Sequence, residues 1–124
     1  MKKAKSKKGT GKVKTIYDLQ AEICAALANP VRLQILDLLA DGEKTSSDLL
    51  KVLQVPKANL SQHLAVLKDA GIIESRKEGL FQYMSLSIHK IKDACSLVRG
   101  VLLDKVANEE KRNLEIIREL KSQR

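Results

Sequence analysis

From Ile16 the apolar residues return every three or four positions, at Ile16, Leu19, Ile23 and Leu27, which is the period of one face of a helix. Asn29-Pro30 ends that helix, since proline lacks the N–H a continuing turn needs yet suits a helix start. Val31, Ile35, Leu38 and Leu39 then predict a second helix running to Asp41-Gly42, with Asp41 to Lys44 as a loop. Thr45 and Asp48 match a capping box with aspartate in place of glutamate, and Leu49, Leu50 and Leu53 give a short third helix its buried side. Gln54-Val55 makes a turn, and Pro56 falls in the first turn of a fourth helix whose Leu60, Leu64 and Leu67 face inward. Ala70-Gly71 closes that helix, glycine accepting the left-handed conformation of a helix end.

The pattern then changes. Ile72 to Lys77 and Leu80 to Leu86 carry β-branched or aromatic residues around Glu78-Gly79, which predicts a tight hairpin. Ile88, Ile91, Cys95, Val98 and Leu102 return to helical spacing and predict a long fifth helix, weakened locally by Gly100. Glu109 to Leu120 either continues it or folds back as a sixth. The order α-α-α-α-β-β-α is mainly α with a small β-hairpin. Two short helices joined by a tight turn, followed by a hairpin with a basic tip, form a winged helix-turn-helix, which lays one helix in the major groove and a loop on the flanking backbone. Residues 1–14 read as a disordered basic tail, 15–104 as the winged domain and 105–124 as a C-terminal helical extension.

Charge changes this picture less than its total suggests. The 124 residues carry a formal charge of +8, but Lys2, Lys3, Lys5, Lys7, Lys8, Lys12 and Lys14 precede any acid, so only +1 belongs to the rest. A lysine run with glycine and serine buries no apolar surface; it either solvates or adds sequence-independent attraction to phosphates. No apolar run follows these lysines as a secretory signal requires, and no stretch approaches the roughly 18 apolar residues of a membrane span. The expectation is a cytoplasmic protein with no membrane partner, its cysteines Cys24 and Cys95 starting as thiols.

In a helix-turn-helix the second helix presents the residues near its N-terminus to base edges. Ser61 and Gln62 are the candidates for base reading, glutamine offering a donor and an acceptor on one planar amide, as adenine does in the major groove. Lys57, Asn59 and Lys68 are candidates for phosphate contact. His63, one residue before Leu64, belongs either to the core edge or to the DNA face. Arg76 and Lys77 stand before the hairpin turn, within reach of the flanking backbone or minor groove, although Glu74 and Glu78 oppose them.

Ala28-Asn-Pro-Val-Arg-Leu-Gln-Ile-Leu36, Leu60-Ser-Gln-His-Leu-Ala-Val-Leu-Lys-Asp-Ala-Gly-Ile-Ile73 and the Arg-Lys-Glu-Gly hairpin together resemble the ArsR/SmtB family of bacterial and archaeal repressors, over about residues 16 to 103. The resemblance implies a homodimer built on the first and fifth helices, an inverted-repeat operator in double-stranded DNA, and release by an inducer. It also marks departures. Where a soft-metal relative places two cysteines, this chain has Thr45-Ser46-Ser47-Asp48. At the zinc-site positions it has Ile88, Lys90, Val101 and Asp104, and one oxygen ligand does not make a tetrahedral zinc site. His89 and Asp93 form an i, i+4 pair better read as a helix start than as a metal site.

Cys24 and Cys95 then carry the remaining chemistry, on the two helices the family uses for dimerisation. Either they pack as small apolar residues, or they form a thiol switch that is oxidised, linked by sulfur, or loaded with a soft metal or metalloid such as arsenite. Repression of transcription is the leading function, and a sequence-indifferent architectural DNA-binding protein with structural cysteines is the alternative. An enzyme is not expected, because the chain shows no Gly-rich cofactor loop and no Ser-His-Asp or Cys-His arrangement.

Overall fold

The computed structural model describes residues 13–122; nearly all of the basic tail lies outside the described residues. The chain divides into one unit ending at Ile88 and a second beginning at His89. The first unit holds α1 (Ile16–Leu27), α2 (Pro30–Ala40), β1 (Lys44–Thr45), α3 (Ser46–Val52), α4 (Lys57–Asp69), β2 (Ile73–Glu78) and β3 (Phe81–Leu86). The second is α5 (Lys90–Ser122).

Local chemistry sets each boundary. Thr15 and Asp18 form a capping box at the start of α1, and Thr45 and Asp48 form the expected one at α3. In each, the threonine hydroxyl accepts from the aspartate N–H while the carboxylate accepts from the threonine N–H, so exposed helix-start donors are met by side chains. The backbone and hydroxyl of Thr45 together hold the Asp48 carboxyl below its usual range. Asn29 caps α2, its Oδ1 accepting from the N–H groups of Val31 (2.8 Å) and Arg32 (3.2 Å). Pro56 is the N-cap of α4 rather than a residue of its first turn. Gly71, at φ 78°, closes α4, letting the Ile72 N–H reach back to the Leu67 carbonyl.

The core draws on the apolar faces of α2, α3, α4 and the hairpin. Ile35, Leu36 and Leu39 of α2, Leu49 of α3, Leu53, and Leu60, Leu64 and Leu67 of α4 meet Ile72, Ile73, Met84 and Leu86. No polar or charged residue is buried among the described residues, so the buried contacts of α4 are apolar. α1 and α2 meet at 87°. α1 is covered only toward its end: Ala26 is buried, whereas Ile16 and Tyr17 are 73% and 79% exposed.

The hairpin differs from the sequence expectation in two ways. Lys44, placed in a loop by pattern, pairs with Met84 while Thr45 pairs with Tyr83, so the hairpin gains a third strand in the order β1-β3-β2. A two-residue strand has no periodicity to betray it. The hairpin turn is Gly79-Leu80 rather than Glu78-Gly79, since Glu78 still pairs with Phe81 and Gly79 takes φ 62°. At the other end, α5 is one uninterrupted helix of 33 residues, about 50 Å long at 1.5 Å per residue. It passes through Gly100 and through residue 104, where the winged domain was expected to give way to an extension. Ile91 is its one buried residue among those described; Leu97, Val98, Val101, Leu102 and Leu103 are all exposed.

Candidate nucleic-acid interface

α4 is held by three leucines on one side and is bare on the other. At about 100° per residue, Gln62 points away from the centre of the Leu60, Leu64, Leu67 stripe, with Ala58 and Ala65 above and below it. All three are exposed. Alanines beside a glutamine let a helix approach a groove floor closely while one long amide reaches further. Ser61 lies on the flank shared with Lys57 and Lys68, and Asn59 lies on the opposite flank; all four are exposed. At that spacing Gln62, Ala58 and Ala65 lie opposite the leucine stripe, with Ser61, Lys57 and Lys68 toward one edge of it and Asn59 toward the other.

His63 sits differently. It is half-buried, and its Nδ1 lies 3.3 Å from Nη1 of Arg32 on α2. Arg32 was not among the residues singled out by sequence.

The hairpin separates its two basic residues. Arg76 donates through Nε and Nη2 to both carboxylate oxygens of Glu43 (3.2 and 2.6 Å) and through Nη1 to Glu78 (2.6 Å). Its guanidinium also lies 4.7 Å from the centre of the Tyr83 ring. The two carboxylates hold Arg76 firmly charged, well above the ordinary guanidinium range, and its hydrogen bonds draw the Glu43 carboxyl below its own. Arg76 is thus a strut between the α2–β1 connection and the wing. Sequence could show the opposition of Glu78 but not Glu43, which is 33 residues away. Lys77 is exposed and makes no ion pair among the described residues, and Leu80 at the tip is 96% exposed.

This partition has a measurable consequence. A lysine that neutralises one phosphate lowers the slope of log affinity against log salt by about 1 when removed. Lys77→Ala is expected to show that change in a titration from low to physiological salt, and Arg76→Ala is expected to leave the slope alone. Equal slope changes in the two variants would show that Arg76 leaves its carboxylates to meet DNA.

Neither cysteine is on α4 or the hairpin. Cys24 is exposed on α1; Cys95 is half-buried on α5; neither is in a disulfide. Among the described residues no three His, Cys, Asp or Glu side chains converge within the chain. No single helix there is long and apolar enough to cross a membrane.

A four-helix unit with a small antiparallel wing and an outward-facing second helix is a winged helix-turn-helix domain of the DNA-binding type. Residues 29–75 match the family model described as bacterial regulatory protein, arsR family. The HTH-type transcriptional regulator MJ1325 of Methanocaldococcus jannaschii is 37% identical over 83 residues, spanning 66% of this chain and 93% of that one. The transcriptional repressor SdpR of Bacillus subtilis is 36% identical over 69 residues, 56% of this chain and 77% of its own. The solution structure of the homodimeric winged helix-turn-helix DNA-binding domain Mb0332 of Mycobacterium bovis superposes with a TM-score of 0.69 at 31% identity, covering 80% of this chain and 94% of that chain. The chain belongs to the ArsR family of winged helix-turn-helix transcriptional regulators.

Proposed function

We propose that this protein is a repressor that binds an inverted-repeat operator as a homodimer, with α4 in the major groove and the wing on the flanking backbone. The observation that carries the reading is the outward face of α4. Gln62 and Ser61 are the reading groups, Lys57, Lys68 and Asn59 hold phosphates, and the leucines beneath fix their register. Dimerisation is supported separately by each unit. α1 exposes Ile16, Tyr17 and Leu19, α5 exposes Leu97, Val98 and Leu102, and apolar faces of this extent mark surfaces that a partner covers. Two copies give two recognition helices, which is what an inverted repeat requires.

The test is binding of the full chain to DNA from its own promoter and to random DNA at physiological salt. A regulator is expected to prefer its operator by about 10³ or more. Equal affinities would make it a sequence-indifferent architectural protein instead.

In the same proposal the inducer acts on Cys24 and Cys95, by oxidation, reactive sulfur or capture of a soft metal or metalloid. Supporting this, Cys24 is exposed on a helix that also exposes apolar surface, and the third-helix position where a soft-metal relative carries cysteines has Thr45 to Asp48. Cys24→Ser and Cys95→Ser are each expected to keep operator binding and to lose release by arsenite, persulfide or peroxide. Normal release in both variants would reduce the cysteines to packing.

A further inference from the structure

The Asn29-Pro30 step between α1 and α2 leaves a defined gap. Proline has no N–H, so the carbonyl of Ala26, four residues earlier, loses the donor that a continuing helix would supply. Ala26 is only 5% exposed, so water is a poor substitute. Arg32 fills the gap: its Nε donates to the Ala26 carbonyl at 2.6 Å and its Nη2 to the Ala25 carbonyl at 3.4 Å. Its backbone N–H is held at the same time by Asn29. One arm of the guanidinium remains, Nη1, and it is the one 3.3 Å from Nδ1 of His63. A guanidinium only donates, so in this contact Nδ1 is the acceptor.

One planar cation on the first turn of α2 therefore holds the last turn of α1 and the middle of α4. Its two ends are adjacent to chemistry: Cys24 directly precedes Ala25, and Gln62 directly precedes His63. α1 itself touches both α2 and α4.

We propose that Arg32 is a positioning residue that sets the rotation of α4 relative to α1 through His63, so that base reading by Gln62 depends on the state of the last turn of α1. This rests on the operator-binding reading above. Lysine cannot replace arginine here, since a point charge does not address two carbonyls and an imidazole in three fixed directions. The bridge gives a disturbance at Cys24 a route to the reading face through Ala25, Arg32 and His63.

The test compares the full chain with His63→Ala, His63→Asn, Arg32→Lys and the Arg32→Lys/His63→Ala double variant. Affinities for the promoter fragment and for random DNA are measured at two salt concentrations. His63→Ala leaves Arg32 on the α1 carbonyls, so α1 stays capped and only the link to α4 is cut. It is expected to lose about tenfold of the operator preference, the worth of one charge-assisted hydrogen bond, with the salt slope and random-DNA affinity unchanged. Asparagine places its Oδ1 near the former Nδ1, so His63→Asn is expected to restore most of the loss. Arg32→Lys is expected to match His63→Ala, and the double variant to be no worse than either single one, as members of one linkage behave. In nitrogen NMR spectra His63 is expected as the Nε2–H tautomer, shifting toward a mixture in Arg32→Lys.

A lower salt slope in His63→Ala, or no rescue by asparagine, would mean that His63 meets DNA itself, and the bridge would be lost as an explanation. Additive losses in the double variant would also overturn it. If Arg32→Lys does not fold, the two His63 variants decide alone. A wild-type chain that fails to prefer its promoter would sink the operator reading; a wild type that discriminates alongside an equally discriminating His63→Ala would sink only the bridge.

Discussion

Leu67→Ala is expected to lower the free energy of unfolding by about 2–5 kcal/mol, a large share of what a domain of this size has. Leu67 is fully buried at 0% exposure on the last full turn of α4, and its carbonyl receives the Ile72 N–H at 3.0 Å, so the side chain anchors both the helix and the turn into the wing. Alanine there removes apolar surface and leaves a cavity in a core with few other places to draw atoms from. Val66, its neighbour, is 37% exposed, and Val66→Ala is expected to cost far less. Urea unfolding at one fixed protein concentration checks both, the concentration being held because a dimer's stability depends on it. The Leu67 variant's remaining folded fraction is expected to keep its ratio of operator to random affinity, since no reading group has changed. A Leu67 variant as stable as wild type would mean that α4 is not anchored through this leucine.

That contrast also shows what the sequence makes legible. Leu60, Leu64 and Leu67 can be placed in the core from spacing alone, because a buried stripe must recur at the helical period whatever lies opposite it. The same reasoning finds the caps at Thr45 and Gly71, where the chemistry is local. It finds Gln62 and Ser61 by subtraction, as the polar residues left over on a helix with one apolar stripe. Where reach spans distance in the chain, it finds little. Nothing near Arg76 announces that Glu43 will take its guanidinium, and nothing near Lys44 announces a two-residue strand, because both depend on how β1 and β3 meet. Arg32 is an intermediate case. The missing donor of Pro30 predicts an unmet carbonyl at Ala26, so a nearby cation could be sought from sequence; that its third arm reaches His63 is set only by the packing of α2 on α4. The apparent basicity of the chain misleads in the opposite direction, since most of it lies before Thr15 and the wing sets Arg76 and Lys77 against Glu43, Glu74 and Glu78.

In the operator-binding reading, sequence preference comes from the outward face of α4, and Gln62→Ala is the variant expected to show it. A planar amide that pairs with one base supplies about 1–3 kcal/mol of discrimination at that position, or roughly tenfold to a hundredfold in relative affinity. Truncation to alanine extends the flat surface of Ala58 and Ala65, leaves the leucine stripe untouched, and removes no charge. The expected result is therefore narrow: affinity for the intact operator falls, affinity for an operator altered at the base pair facing Gln62 in each half-site does not, and the salt slope is unchanged. A set of promoter fragments, each substituted at one base pair, identifies that position as the one where wild type discriminates and the variant does not. Lys57→Ala supplies the opposite pattern, with all fragments weakened alike and a shallower salt dependence. If Gln62→Ala weakened every fragment equally, the amide would be holding backbone, and the sequence preference would have to be sought in Ser61 or in the shape of the DNA that the two recognition helices span.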